Sequence, residues 1–210
     1  MRIGIIGTGN VGSTLGRGWA AKGHAVVFGI RNAGDAKVQA AVKAAGGATR
    51  AATVKDAAAD AEVVVLATPW GATQDAIKAA GSLSGKIVID ATNPLKADLS
   101  GLAVGYTTSA GEEVAKWAAG AKVVKAFNTT GAGNMANPRF GGEAASMFIC
   151  GDDAAAKKTV ASLAETLGFE AVDAGPLSQA RLLEPLAMLW ISMAYAFGQG
   201  PNIAFRLLRR

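Results

Sequence analysis

Gly7-Thr8-Gly9-Asn10-Val11-Gly12 is the segment of this 210-residue chain whose residue types and spacing speak most directly of chemistry. It follows the apolar run Arg2–Ile6 and opens a stretch with helical character. In that setting the first glycine turns the chain and the second lets the backbone approach a pyrophosphate. The third allows close packing of helix on strand. The helix N-terminus then faces an anion. The expected ligand is a dinucleotide, with Gly7, Thr8, Gly9, Asn10 and Val11 around its phosphates.

The end of the second strand selects the dinucleotide. Enzymes that take NAD carry an acid there to accept the ribose 2′-hydroxyl. This chain has Phe28-Gly29-Ile30-Arg31-Asn32 instead. Arg31 offers a planar, fork-shaped cation where NADP carries its extra phosphate. The sequence therefore predicts NADP, with Arg31 and Asn32 at its adenosine end. Three further strand ends are polar: Thr68-Pro69-Trp70, Thr92-Asn93-Pro94 and Asn128-Thr129-Thr130. Ligands of open α/β sheets bind outside the carboxyl ends of the strands. Thr68, Pro69, Trp70, Asn93 and Asn128 accordingly join the cofactor-binding candidates, with Trp70 beside the nicotinamide ribose. Each is also an ordinary turn or cap residue. All the polar strand ends on one edge together argue for a crevice.

The absences narrow the chemistry. There is one histidine, His24, and one cysteine, Cys150. That leaves no Ser-His-Asp set, no multi-histidine metal site and no disulfide framework within the chain. Asp90 reads as a structural acid at a strand end and His24 as a hydrogen-bonding turn residue. Cys150 reads as core, and the Lys125 side chain is expected to point away from the crevice. No catalytic acid or base is assigned and no metal is expected. A dehydrogenase acting on an alcohol must move the hydroxyl proton. Hydride transfer between two flat redox rings needs only stacking and exclusion of water. The second chemistry suits these residues better.

These residues need a frame to hold them. Short Val- and Ile-rich runs at Arg2–Ile6, Ala25–Gly29, Glu62–Ala67, Lys86–Asp90 and Lys122–Ala126 are apolar at successive positions, as strands covered on both faces are. Helical stretches at Asn10–Ala21, Asp35–Ala45, Trp70–Ala80 and Gly111–Ala119 alternate with them. The fold class is α/β, a Rossmann-type doubly wound parallel sheet. The glycine-rich stretch Gly131–Gly142 reads as a loop. A strand (Ala144–Cys150), a helix (Ala154–Leu167), a strand (Phe169–Val172) and a long helix from Ser178 then form a small C-terminal extension packed on the sheet. We expect residues 1–130 to bind NADP and residues 131–210 to complete the acceptor pocket. The last helix is apolar nearly all round until Pro201 ends or kinks it, which suggests burial on several sides, as core or against a second copy in a homodimer.

Composition agrees with a globular protein: 50% of the residues are hydrophobic and 18% charged. The net charge is +5, but Arg206, Arg209 and Arg210 crowd the C-terminus. The rest is nearly balanced, so no nucleic-acid footprint stands out. The most apolar window, Leu182–Phe197, contains Glu184 and Pro185 and is too short to span a bilayer. No signal peptide is evident, and a cytoplasmic location is expected.

The chain resembles the coenzyme F420:NADP oxidoreductases and related dinucleotide-binding reductases. The resemblance is carried by Gly7–Gly12, Gly23-His24, Thr68-Pro69-Trp70 and Cys150-Gly151-Asp152-Asp153. It continues in Asp173-Ala174-Gly175-Pro176-Leu177-Ser178 with Arg181-Leu182, the most specific piece. It implies NADP across the strand ends and a deazaflavin stacked on the nicotinamide. The loop Asn128–Gly133 and the C-terminal segment would roof the pocket. By position that adds Ala132 to the cofactor site and Thr129, Leu177, Ser178 and Arg181 to the acceptor site. Two positions depart from the family pattern: Ile30-Arg31 replaces Ser-Arg, and Asn128 stands where a histidine occurs. The segment Val123–Thr129 is similar instead to the cytosolic reductase domain of the six-transmembrane metalloreductases, which passes hydride from NADPH to a flavin. The acceptor is therefore a deazaflavin or, alternatively, FMN or FAD or another small molecule. A catalytically silent NADPH sensor is the reading from another class. A dehydrogenase or imine reductase of the hydroxyisobutyrate or pyrroline-carboxylate type is a further enzyme reading; those need a large helical second domain or helical dimer, and few residues follow Val172.

Overall fold

The computed structural model describes residues 1–31 and 36–210. In chain order the elements are β1 (Arg2–Ile6), α1 (Asn10–Ala21), β2 (Ala25–Ile30), α2 (Ala36–Ala45), β3 (Arg50–Thr53), α3 (Val54–Ala59), β4 (Val63–Leu66), α4 (Trp70–Ala80), β5 (Ile87–Asp90), α5 (Ala110–Trp117) and β6 (Lys122–Lys125). The C-terminal part adds α6 (Ala132–Ala136), β7 (Arg139–Phe140), β8 (Glu143–Ala144), β9 (Ser146–Gly151), α7 (Ala154–Thr166), β10 (Glu170–Asp173) and α8 (Ala180–Ile191). A 3₁₀ turn, Leu177–Gln179, leads into α8, and a π turn, Ser192–Ala196, leaves it.

Eight strands form one sheet in the order β10-β9-β6-β5-β4-β1-β2-β3. From β3 to β6 every pair is parallel, whereas β9 runs antiparallel to β6 and β10 parallel to β9. The strand order reverses beside β1, between β4 and β2, which is where a doubly wound sheet opens a crevice. The C-terminal extension thus lengthens the sheet itself.

Two cores flank the sheet, and the strand residues alternate between them. Ile3, Ile5, Val63, Val65, Ile89 and Val124 belong to one. Ile6, Val64, Leu66, Val88 and Val123 belong to the other. Burial of both faces is why these strands read as unbroken apolar runs.

Three expectations are corrected. The sequence pattern leaves Arg50–Ala59 unassigned, yet it holds β3 and α3. Arg-Ala-Ala-Thr is a poor strand former, and its partner β2 supplies the pairing, from Val27↔Arg50 to Ile30↔Thr53. The following helix is admitted because Gly4 and Gly29 have no side chain: a Cβ on Gly4 would strike the Ala57 carbonyl. The stretch Gly131–Gly142, expected as loop, contains α6 and β7. The final helical segment stops at Ala196, ahead of Pro201, where Gly198 (φ +70°) and Gly200 (φ +77°) take left-handed conformations.

The chain then returns across the fold. Ser146 N donates to Phe205 O at 3.0 Å, and Leu207 N donates to Ser146 Oγ at 3.0 Å. Arg206 pairs with Glu143 and Glu170, and Arg209 with Glu170. The basic C-terminus is therefore largely neutralised by local acids.

Candidate functional site

The glycine turn takes the shape its sequence implies. Gly7 has φ +110°, a conformation that residues with a Cβ avoid. A Cβ at Gly12 would run into the Gly7 carbonyl oxygen, so only glycine lets α1 start this close to β1. Gly9 has open space where a Cβ would stand, and α1 begins at the next residue with no side-chain cap. Its first N–H groups are left for another acceptor. Ser13 Oγ is turned back onto Gly9 O at 2.8 Å.

A cleft of about 630 Å³ opens here, large enough for part of a dinucleotide. Gly7, Thr8, Gly9, Arg31, Thr68 and Pro69 line it. Sequence reasoning singles out all six. It misses Gly29, Val54, Asp75, Ala76 and Ala79 on the same walls. Val54, Ala76 and Ala79 carry no chemical signal, Asp75 is an exposed helix acid paired with Lys78, and Val54 belongs to an element that the sequence pattern does not reveal. Arg31 is exposed at the end of β2, on the cleft wall. Asn32 lies outside the described residues. The Thr68 hydroxyl meets that of Thr73 at 2.9 Å, and Pro69 caps α4.

The remaining candidates sit elsewhere on the strand-end edge. Trp70 stacks on Trp117, with ring centroids 5.1 Å apart and 27° between planes, and is not among the cleft-lining residues. Asn93 and Asn128 bond each other: Asn93 Nδ2 donates to Asn128 O (2.9 Å) and Asn128 Nδ2 to Asn93 Oδ1 (3.1 Å). Thr129 is buried, and Ala132 opens α6, half-buried. Trp190 of α8 covers this loop so closely that a Cβ on Gly131 would stand 2.6 Å from its ring. Leu177 is buried in core and donates its N–H to Asp152 Oδ1 at 2.8 Å. Ser178 is exposed. Arg181 grips Glu112 with Nε at 2.9 Å and Nη2 at 2.6 Å, which holds the Glu112 carboxyl below the usual range.

Lys125 is fully buried and is not among the residues that line the cleft. Its ammonium lies under the strand-end loop, 2.6 Å from Thr92 O, 2.9 Å from Asp90 Oδ2 and 3.0 Å from Glu184 Oε1. All three side chains are at most 1% exposed. Burial pushes the Glu184 carboxyl up, against the pull of Lys125. Asp90 is a structural acid, as expected: its Oδ1 accepts from the N–H and hydroxyl of Thr92. Glu184 could not be linked to Lys125 in the sequence, since 59 positions separate them and no periodicity connects them.

Two other residues stand as read. His24 lies 3.3 Å from the N-terminal amine, and burial followed by that positive charge lowers its pKa. Cys150 is buried, its thiol pushed up to about 12 chiefly by desolvation. Among the described residues no group of three or more His, Cys, Asp or Glu side chains is placed to hold a metal. No described helix is long and apolar enough to cross a membrane.

The model for NADP oxidoreductase, coenzyme F420-dependent, matches residues 2–94. The F420-dependent NADP reductase of Methanothermobacter marburgensis is 34% identical over 210 residues, 92% of each chain. The chain belongs to this family. A crystal structure from Arthrobacter sp. FB24, assigned as an F420-dependent NADP-reductase, superposes with a TM-score of 0.90, 36% identity and full coverage of both chains. Metalloreductase STEAP3 of Rattus norvegicus is 31% identical over 90% of this chain, which spans only 37% of that longer protein. As a family member, this chain is an NADP-dependent oxidoreductase.

Proposed function

We propose that this protein transfers hydride between NADPH and the deazaflavin coenzyme F420. The observation that carries the reading is the match, over about nine-tenths of the chain, with reductases of that name, combined with a cleft wall on which β2 ends in Arg31 rather than in an acid. Gly7, Thr8, Gly9, Asn10 and Val11 hold the pyrophosphate at the start of α1. Arg31, with Asn32 beside it, pairs with the 2′-phosphate. Thr68, Pro69 and Trp70 follow the ribose side, and Asn93, Asn128 and Ala132 the nicotinamide. Thr129, Leu177, Ser178 and Arg181 form the acceptor wall. Residues 1–130 serve the cofactor, and 131–210 complete the acceptor pocket.

When bound, the reduced nicotinamide supplies the hydride. The protein's part is to align the two rings and keep water out, which needs no side-chain acid or base. The similarity to the metalloreductase supports a second reading, with FMN or FAD as acceptor. α8 leaves Leu182 (65%) and Leu189 (49%) exposed, followed by Phe197 (74%), an apolar strip that a second copy would cover. We place such a homodimer in the cytoplasm, where a lone buried thiol is in keeping with a reducing compartment.

The test is the loss of nicotinamide absorbance with F420 and FMN offered side by side. Turnover with F420 supports the first reading, and turnover with FMN alone supports the second. NADPH binding with no turnover on either favours a sensor. In the same assay Arg31→Ala should weaken NADPH about tenfold, the low end for a charge-assisted contact at an exposed site, and leave NADH unchanged. Equal losses for both would remove Arg31 from the 2′-phosphate.

A further inference from the structure

The Lys125–Asp90–Glu184 cluster plays no part in the hydride chemistry above, yet it joins four elements beneath the strand-end loops. Three donors on Nζ meet three acceptors. Glu184 also accepts from the N–H groups of Ala110 (2.9 Å) and Gly111 (3.1 Å) at the start of α5. One ammonium therefore ties together the ends of β5 and β6, the start of α5 and the middle of α8. Such buried ion clusters add little net stability over well-packed apolar residues, while removal of one partner leaves an uncompensated charge and disturbs whatever the cluster joins.

The arrangement is visible one to three residues along each chain segment. Thr92 leads to Asn93, Lys125 leads through Ala126 and Phe127 to Asn128, and Glu184 follows Leu183. Asn128 Nδ2 donates to both Asn93 Oδ1 and Leu183 O, each at 3.1 Å. Exchanging its amide oxygen and nitrogen would set oxygen against two oxygens, so the orientation is determined. Asn128 Oδ1 is then left buried without a partner. Phe127, just before it, is held at φ +61°, a conformation that bulky L-residues avoid. A buried acceptor left unpaired is unfavourable until a donor arrives.

We propose that Lys125 and Glu184 are positioning residues that hold Asn128 through α8 and Asn93, so that Asn128 Oδ1 accepts a hydrogen bond from an amide-type N–H of a bound ligand. The proposal rests on the NADPH-to-F420 reading, in which two groups carry that donor: the nicotinamide carboxamide and the pyrimidine ring of the acceptor.

The experiment compares wild type, Asn128→Ala, Glu184→Gln and the double variant. NADPH dissociation constants come from fluorescence titration, and KM and kcat from turnover with F420. Asn128→Ala should raise one of the two constants about tenfold, the usual cost of an unpaired buried group, and leave the other within about twofold. A raised NADPH constant identifies the carboxamide; a raised acceptor KM identifies the ring. Glu184→Gln should raise that same constant, and the double variant should be no worse than Asn128→Ala alone. Should Glu184→Gln fail to fold, Glu184→Asp keeps the charge, shortens its reach and should move the same constant. Unmoved constants in Asn128→Ala overturn the ligand bond. Effects that multiply in the double variant, or a Glu184 change that lowers only thermal stability or kcat, overturn the positioning role. Wild type that binds no NADPH overturns the parent reading and this one with it, whereas normal wild-type constants with unmoved variants overturn this one alone.

Discussion

Replacing Lys125 by methionine keeps most of the side-chain volume and deletes one charge. Asp90 and Glu184 lose the cation that stands 2.9 and 3.0 Å from their oxygens, and Thr92 O loses a donor at 2.6 Å. The two carboxylates cannot reach water, since their side chains are 0% and 1% exposed. Breaking a buried pair from one side costs about 3–5 kcal/mol. For a chain of this size that lowers the melting temperature by roughly 6–20 °C. The deficit also carries a pH signature. Without Lys125 the Glu184 carboxyl titrates above its unfolded value, because burial already pushes it up and the opposing cation is gone. The folded variant then binds more protons than the unfolded chain, so its stability falls as pH rises above the ordinary carboxylate range. The gap to wild type should narrow as pH is lowered from about 8 toward about 5. Calorimetry of both proteins across that range reads the difference. A loss under about 1 kcal/mol at the upper end, or a deficit indifferent to pH, would refute the argument.

The other predictions concern the thiol and the surface. With its thiol at about 12 and buried, Cys150 should not react with a disulfide reagent at pH values near neutrality, and should react fully once guanidinium unfolds the chain. Prompt reaction of the native protein would contradict the burial. Leu182→Asp with Leu189→Asp should shift the sedimentation coefficient from dimer toward monomer with little change in melting temperature, because both side chains are exposed within one chain. A wild-type protein that sediments as a monomer would dismiss the interface.

Much of the frame was legible. β1, α1 and α4 have the bounds expected, because each carries a local signal: buried Val and Ile runs, a glycine turn before Asn10, Pro69 ahead of Trp70. Six cleft residues were legible for the same reason. β3 and α3 were not, since an Arg-Ala-Ala-Thr edge strand exists only through its pairing with β2. Trp70 reads equally well as a ribose contact or as packing, and its stacking on Trp117 is a tertiary fact.

By itself the sequence determined the alternation of strand and helix, the glycine turn and the cation at the end of β2. All three depend on residues within a few positions of each other, where sterics and periodicity act directly. The tertiary structure alone decided the partners. It brought Glu184 of α8 onto Lys125, Arg181 onto Glu112, and the C-terminal segment onto Ser146. It also left Asn128 Oδ1 as a buried acceptor without a donor. Charge and hydrogen bonding are satisfied by whatever the packing brings within about 3 Å, and separation along the chain does not reveal which groups those will be.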